Sequence, residues 1–141
     1  MGTRKNIYEP DFVAIQAAMG LAAEEAERQG VDVVIAIVNA SGILSGFVRM
    51  PGGFLASVDY AQWKAWTAAS FDMTSRDFGR LLDEMDQNAR DGLLAHPKAT
   101  ALPGGFPIRK GGRCIGAIGV SGGSGEQDET IAKAGLHAFN C

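Results

Sequence analysis

Two pairs of short apolar runs joined by glycine turns constrain this chain more than any other feature. In VDVVIAIVNASGILSGFVRM, residues 31–38 are β-branched and too few for a helix without a polar face, so they predict a strand. NASG predicts a tight turn into a returning strand, residues 43–50. GGFPIRKGGRCIGAIGVSG predicts a second pair of strands around Gly111 and Gly112. Strands joined by such short turns run antiparallel.

Helical spacing lies before, between and after these hairpins. We predict helices over residues 11–29, 57–71 and 75–88, and a last helix that begins near residue 125. The first helix has one apolar stripe, formed by Phe12, Ile15, Met19, Ala22 and Ala26. Gly30 follows it as a residue suited to end a helix, because glycine adopts positive φ without strain.

The second helix is rich in alanine, which leaves one side thin enough for a sheet or a second helix to approach closely. Ser57 is its predicted N-cap. Pro97 and Pro103 argue against a long helix over residues 89–103. The order of elements predicts an α+β fold with a central antiparallel sheet of about five strands flanked by helices. We expect a polar tail over residues 1–10 and a single domain over residues 11–141.

The composition excludes several classes of function. The net charge is −3 at pH 7, and Lys and Arg are scattered without a basic stripe, so nucleic acid is not an expected partner. No apolar run reaches the roughly 20 residues of a membrane-spanning helix. The polar start MGTRKNIYEPD lacks the apolar core of a signal peptide. Cys114 and Cys141 have no metal-site spacing, and we expect a cytoplasmic protein with reduced thiols.

The segment CIGAIGVSGGSGEQDETIAKAG raises the question of a phosphate site, because an apolar run enters a glycine–serine loop that opens into a helix. The phosphate-loop pattern G-x-x-x-x-G-K-[ST] is absent. Ser124 and Gln127 fit a capping box. Glu126, Asp128 and Glu129 complement the helix dipole themselves and would repel a bound anion. A capped strand-to-helix turn is the favoured interpretation.

Several segments resemble one known family. GGFPIRKGGRCIGAIGVSGGSGEQDETIAKAG resembles the C-terminal signature of the GlcG/HbpS-like, haem-degrading-type family, which includes the C-terminal domain of PduO proteins. VVIAIVNASGILSGFVRM resembles the family's first hairpin, and SVDYAQWKAWTAASF resembles its alanine-rich helix with a central K-A. The resemblance covers residues 10–139. It implies profilin-like layers of helices and antiparallel sheet, and assembly into dimers or larger homo-oligomers.

The resemblance implies more than one kind of function. Several members of the family bind haem, one branch is linked to haem breakdown, and at least one relative is a lyase acting on a hydroxylamino-substituted benzoate. The PduO-type members that bind haem use a histidine of the N-terminal helix, but residues 11–29 contain no histidine here. Pro51 also stands where the family usually has Asp.

Two basic residues are the main binding candidates. Arg49 precedes a glycine turn, and Lys64 lies in the alanine-rich helix between two tryptophans. Both match basic positions of the family motif, and together they are candidates for holding a carboxylate, from a small acid or a haem propionate. The alternative is an internal salt bridge, for example with Asp59 or Glu129. We predict one cleft shared by these two residues and a glycine turn that contains Gly104, Gly105 and Phe106.

The catalytic and iron-binding candidates are fewer. His96, in a proline-containing loop, is a candidate axial ligand of haem iron or a candidate general base, with an exposed loop histidine as the alternative. His137 more simply complements the dipole of the last helix. Glu129 is a candidate base if a cleft meets its end of the helix. Phe106 is a candidate for stacking on an aromatic ring, with core packing as the alternative.

These residues leave two hypotheses for the function. The first is a homo-oligomeric binding protein for haem or another flat, anionic small molecule. The second is a small metal-independent enzyme of the lyase type, acting on a small aromatic or hydroxy acid such as a hydroxylamino-benzoate. The sequence supports an anion-binding cleft, which both hypotheses share, more strongly than it supports either ligand.

Overall fold

The computed structural model describes residues 9–139, so Cys141 and most of the predicted tail lie outside the described residues. In chain order the elements are α1 (Phe12–Gln29), β1 (Val34–Asn39), β2 (Leu44–Arg49), α2 (Leu55–Phe71), α3 (Ser75–Asp83), α4 (Gln87–Leu94), β3 (Gly105–Lys110), β4 (Arg113–Ser121), α5 (Gly125–Leu136) and a 3₁₀ helix (His137–Phe139).

The strands form one antiparallel sheet in the order β2-β1-β4-β3. β1 pairs with both β2 and β4, and β3 pairs with β4. Both predicted hairpins and the α+β fold are therefore confirmed. The sheet has four strands rather than about five, because the two hairpins supply all of its strands within residues 9–139.

Helices cover both faces of this sheet. β1 is buried along its whole length, since α2 packs on one face and α1 with α5 on the other. The larger core lies on the side of α1 and α5. Its centre consists of large aliphatic side chains, chiefly Ile35, Ile37, Ile108, Ile118, Val120 and Ile131.

The face under α2 is packed with small residues instead. Ala61, Ala65 and Ala68 are fully buried, and a side chain at Gly119 of β4 would overlap the carbonyl oxygen of Ala61. The backbone of α2 therefore lies directly on the sheet, as the alanine-rich sequence predicts. This close approach carries Lys64, which shares the buried side of the helix, below the protein surface.

The first two helices differ in detail from their predictions. α1 ends at Gly30 with φ of +71°, as predicted, but Phe12 is 70 % exposed and does not belong to the buried stripe. α2 begins at Leu55 after an extended Phe54. Ser57 is therefore inside the helix rather than its N-cap, and its hydroxyl forms a hydrogen bond with Ser121 of β4 instead (3.1 Å).

The predicted helix over residues 75–88 is two helices, α3 and α4. α3 stops at Asp83, and the Asp86 side chain then accepts a hydrogen bond from the Ala89 amide, which starts α4 at Gln87 and carries it to Leu94, beyond the predicted end at residue 88. An Asp at this position favours a new helix start because it satisfies an otherwise unpaired amide.

Gly119→Ala tests the close packing of α2 on β4. The added methyl group meets backbone atoms that have no room to move, so we expect a loss of unfolding free energy of roughly 1–3 kcal/mol. Gly92→Ala is the matched control, since nothing lies within 4 Å of a side chain there and alanine stabilises a helix interior by about 1 kcal/mol over glycine. Urea unfolding followed by circular dichroism measures both. Equal stability of the two variants would contradict this packing.

Candidate functional site

Lys64 forms a buried ion pair with Asp128, at the first turn of α5. Its Nζ donates to Asp128 Oδ2 at 2.9 Å and to the carbonyl oxygen of Val120, at the end of β4, at 2.8 Å. The two side chains are each 4 % exposed. The internal salt bridge that we gave as the alternative is therefore present, but with Asp128 rather than with Asp59 or Glu129.

Asp128 also occupies the glycine loop. Its Oδ1 accepts a hydrogen bond from the Gly123 amide at 2.8 Å, and the nearby Gly122 amide also stabilises the charged carboxylate, which lowers its pKa. The amides that a phosphate would need are thus held by the chain's own anion. Ser124 and Gln127 form the predicted capping box, so the loop is a capped strand-to-helix turn.

Burial dominates the electrostatics of this pair. It lowers the pKa of Lys64 below its ordinary value, while attraction to Asp128 acts in the opposite direction. It likewise raises the pKa of Asp128 against the attraction of Lys64 and the loop amides. Each charge depends on its partner, because a lone charge at this depth has no water to solvate it.

Gly104 and Gly105 belong to the same buried cluster. Gly104 has φ of +129°, and a side chain there would crowd Asp128 Cβ and Lys64 Cδ at 3.1 and 3.2 Å. A side chain at Gly105 would overlap the Lys64 carbonyl, and the Gly105 amide donates to Ser75 Oγ at 2.9 Å. The structure therefore brings both glycines to Lys64, as predicted, but they serve the packing of α2 and are buried.

Arg49 lies at the same end of the sheet but in separate surroundings. It pairs with Val34, which pairs in turn with Ser121, so two strand spacings separate it from the end of β4. Its guanidinium donates to the carbonyl oxygens of Gly53 (3.1 Å) and Pro51 (3.2 Å). Arg49 thus holds the turn after β2, and the structure does not unite it with Lys64 in one cleft.

The two candidate catalytic residues, Glu129 and His96, both interact with other side chains or backbone groups. Glu129 accepts two hydrogen bonds from Arg76, each of 2.9 Å. His96 is exposed and stacks on Trp66 with 4.4 Å between ring centroids. Its Nδ1 accepts a hydrogen bond from the Lys98 amide at 3.1 Å, which places the proton of the neutral ring on Nε2. His137 is exposed at the end of α5.

An open cleft of about 300 Å³ lies between the end of α2, the start of α3, β3 and the end of α5. Phe106, which was among the predicted ligand-binding residues, is part of its lining. This residue is only 9 % exposed and belongs to the larger core, as the core-packing alternative predicts. The lining is formed by Asp72, Met73, Thr74, Asp77, Phe106, Pro107, Arg109 and Leu136. Such a mixture of aromatic, aliphatic and charged groups is typical of small-molecule sites, and the volume lies at the lower end of their range.

The rim of this cleft holds a strained residue. Asp72, the C-cap of α2, has φ of +52°, a conformation that costs a residue other than glycine about 1–3 kcal/mol. Arg109 of β3 holds it in place, donating to Asp72 Oδ1 at 2.9 Å and to its carbonyl oxygen at 2.7 Å. The left-handed conformation of Asp72 also ends α2, which is a common way for a helix to stop.

Local sequence does not reveal the pairings of Arg109, Asp72 and Asp128. The buried acid is 64 positions from Lys64, and nothing local marks the pairing. Asp72 and Arg109 meet across 37 positions. The role of Asp72 could have been recognised from the sequence. An Asp directly after an apolar helix tolerates the left-handed backbone conformation that ends a helix.

Residues 9–139 contain neither a candidate metal site nor a candidate membrane-spanning helix. There, no cluster of three or more His, Cys, Asp or Glu side chains is arranged to hold a metal ion. Over the same residues, no helix has the length and apolar character needed to cross a membrane.

Comparison with known proteins identifies relatives over nearly the whole chain. The family described as "Haem degrading protein HbpS-like" matches residues 12–137. The corrinoid adenosyltransferase PduO of Salmonella typhimurium is 36 % identical over 121 residues, which cover 84 % of this chain but 35 % of PduO. Protein GlcG of Escherichia coli K12 is 35 % identical over 98 residues, 70 % of each protein.

A solved structure of similar shape contains haem. The structure described as a PduOC:heme complex has a TM-score of 0.84 and 33 % sequence identity, covering 94 % of this chain and 96 % of that chain. This similarity confirms the resemblance seen in the sequence and the fold that it implied.

Lys64→Met tests the buried pair. The change leaves the Asp128 carboxylate buried without its cation, so we expect a loss of roughly 3–5 kcal/mol of unfolding free energy. Adding Asp128→Asn should restore part of it, because no lone charge then remains. In the control, Arg80→Met, the lost partner is Asp77, and both side chains are more than half exposed, so about 1 kcal/mol or less is expected. Urea unfolding separates these cases, and a Lys64→Met loss as small as the control's would show that the pair is not buried.

Proposed function

Because the chain belongs to the HbpS-like family, we propose that it binds haem or another flat, anionic small molecule, and that the cleft beside Phe106 holds this ligand. The haem-bound relative supports the choice of ligand. The chemistry of the cleft supports the choice of site, since apolar residues and Arg109 line it and Lys133 lies beside the Phe106 ring.

The observation that carries this proposal is that Phe106 and Arg109 line one cleft while a second cation lies beside the aromatic ring. Lys133 Nζ is 5.8 Å from the centroid of the Phe106 ring. Asp72 and Asp77 also line the cleft, and each forms an ion pair, Asp72 with Arg109 and Asp77 with Arg80. A carboxylate of a ring bound against Phe106 would therefore share Arg109 with Asp72 and lie near Lys133.

Haem fits this site in part. Phe106, Pro107 and Leu136 provide an apolar surface for one edge of the macrocycle, and Arg109 with Lys133 suit its propionates. A volume of about 300 Å³ leaves much of a porphyrin outside the cleft. When bound, haem would supply redox and oxygen chemistry.

The iron would meet a poor set of ligands. His96 has its Nδ1 occupied by the Lys98 amide and its proton on Nε2, and burial raises the pKa of the Cys114 thiol, which keeps it protonated. Met73 is the one sulfur or imidazole group among the residues that line the cleft. We expect haem to bind through its ring and propionates, without imidazole ligation.

The same contacts favour binding over catalysis. A lyase acting on a small acid needs a base within reach of its substrate. Both oxygens of Glu129 are held by Arg76, and the unprotonated nitrogen of His96 is held by Lys98. The small volume of the cleft is the observation that favours the lyase-type alternative, because a substituted benzoate would fit there completely.

Hemin titration of cleft variants tests the proposal. Arg109→Ala and Lys133→Ala should each weaken binding about tenfold, the equivalent of about 1.4 kcal/mol, because each removes a charged contact to a propionate. Arg28→Ala, which removes an exposed arginine of α1, should leave the affinity unchanged. His96→Ala should leave the Soret spectrum of the complex unchanged.

Three results would count against this account. If neither cleft substitution changes the affinity for hemin, the ligand binds elsewhere. A Soret shift in His96→Ala would show that the loop histidine ligates iron. A substituted benzoate whose affinity drops in Arg109→Ala, together with no hemin binding, would make a small aromatic acid the ligand.

A further inference from the structure

Among residues 9–139, no strand pairs with the outer edge of β2, and apolar side chains lie beside it. β2 is an edge strand, and the Met50 amide donates to the Val33 carbonyl at 3.0 Å. Hydrogen-bonded and non-hydrogen-bonded residue pairs alternate along an antiparallel ladder. This one bond therefore determines which residues of β2 direct their backbone groups towards β1. The backbone groups of Phe47 and Arg49 consequently point away from β1, towards the open side of the sheet.

The two edges of the sheet are protected differently. On β3 the outward positions include Pro107, which has no amide hydrogen, and Arg109, followed by Lys110. Proline and cations are the usual means of preventing an edge from pairing with another strand. β2, with the sequence LSGFVR, contains no proline, and its one cation, Arg49, is bound to the carbonyls of Pro51 and Gly53. Its edge is therefore less protected against pairing than that of β3.

Apolar side chains surround this edge. The helix α2 packs mainly on β4, β1 and β3. Phe47 of β2 lies on the same face of the sheet and is 38 % exposed. Phe54 and Leu55, beside the turn that Arg49 holds, are 67 % and 85 % exposed. Exposed apolar groups next to an open strand edge mark an interaction surface.

We propose that β2 pairs antiparallel with β2 of a second copy of this chain, about a two-fold axis at Val48. A bulge shifts the register between Ile37 and Val38, opposite Ser45, so Phe47 and Arg49 are the outward residues of the regular part of the strand. Centring on Val48 places Phe47 of each copy opposite Arg49 of the other. Every outward amide and carbonyl of these two residues is then paired.

The charges of the edge suit a second copy in this register. Arg49 is the one charged residue of β2, and the two-fold arrangement sets each Arg49 against an aromatic ring rather than against its equivalent. Each guanidinium is tied to the carbonyls of its own Pro51 and Gly53, beyond the end of the strand, which keeps the two cations apart. Two-fold homodimers are also the commonest closed assembly. The pairing joins two sheets into one of eight strands and does not depend on the ligand.

Cysteine cross-linking tests both the pairing and its register, in a background that carries Cys114→Ser and Cys141→Ser. Val48→Cys should form a disulfide-linked dimer, because the two Cα atoms of this central pair lie about 4.5 Å apart. Ser45→Cys should not, since the two copies of that residue lie far apart along the strands. Phe47→Cys serves as the register control, because its copies are diagonal neighbours about 7–8 Å apart.

Light scattering supplies the second measurement. At micromolar concentration the wild type should have at least twice the chain mass of 14.8 kDa. Phe47→Glu should raise the dimer dissociation constant at least about tenfold, while Leu94→Glu, at a similarly exposed leucine of α4, should not. A monomeric wild type, failure of the folded Val48→Cys protein to cross-link, or preferential cross-linking through Phe47 or Ser45 would overturn the proposal.

Discussion

The close approach of α2 to β4 is the constraint on which the rest of this structure depends. Because Gly119 lacks a side chain and α2 presents alanines, the helix backbone rests on the sheet. That depth buries Lys64, and a buried lysine requires an anion. Asp128 supplies it from α5, and in doing so fills the glycine loop that a phosphate would otherwise use. The close packing of α2 on β4 thus determines the positions of a helix, a strand end and a loop.

The residues that seem functional from their chemistry are therefore mostly architectural. Lys64, Gly104 and Gly105 form a closed internal network, and Arg49 holds a turn. Asp72, which ends α2, and Arg109 instead line the cleft that also includes Phe106. Lys64 near the middle of α2 thus serves stability, whereas the proposed ligand site lies beside the C-terminal end of this helix, so we expect a substitution at either place to affect mainly one of the two.

The parts of the fold that follow from short-range rules were predictable from the sequence. Gly30 ends α1, Ser124 and Gln127 cap α5, and both hairpins follow from their turns. Lys64 stood out as a cation in an alanine-rich helix, but its partner depends on how α5 docks, which local sequence does not encode. The cleft was missed for the same reason, because four elements distant in sequence form it. Phe106 was identified as an aromatic residue beside a glycine turn, although its cationic neighbours could not be.

The central claim is that a flat, anionic ligand lies against Phe106 rather than beside Arg49 or α1. Backbone amide chemical shifts, followed during titration with zinc protoporphyrin, test it directly because this porphyrin is diamagnetic and leaves nearby signals visible. The account predicts that the largest shifts fall in residues 72–77, 106–109 and 133–137. Shifts concentrated in residues 12–20 or 49–55, with these segments unchanged, would contradict it.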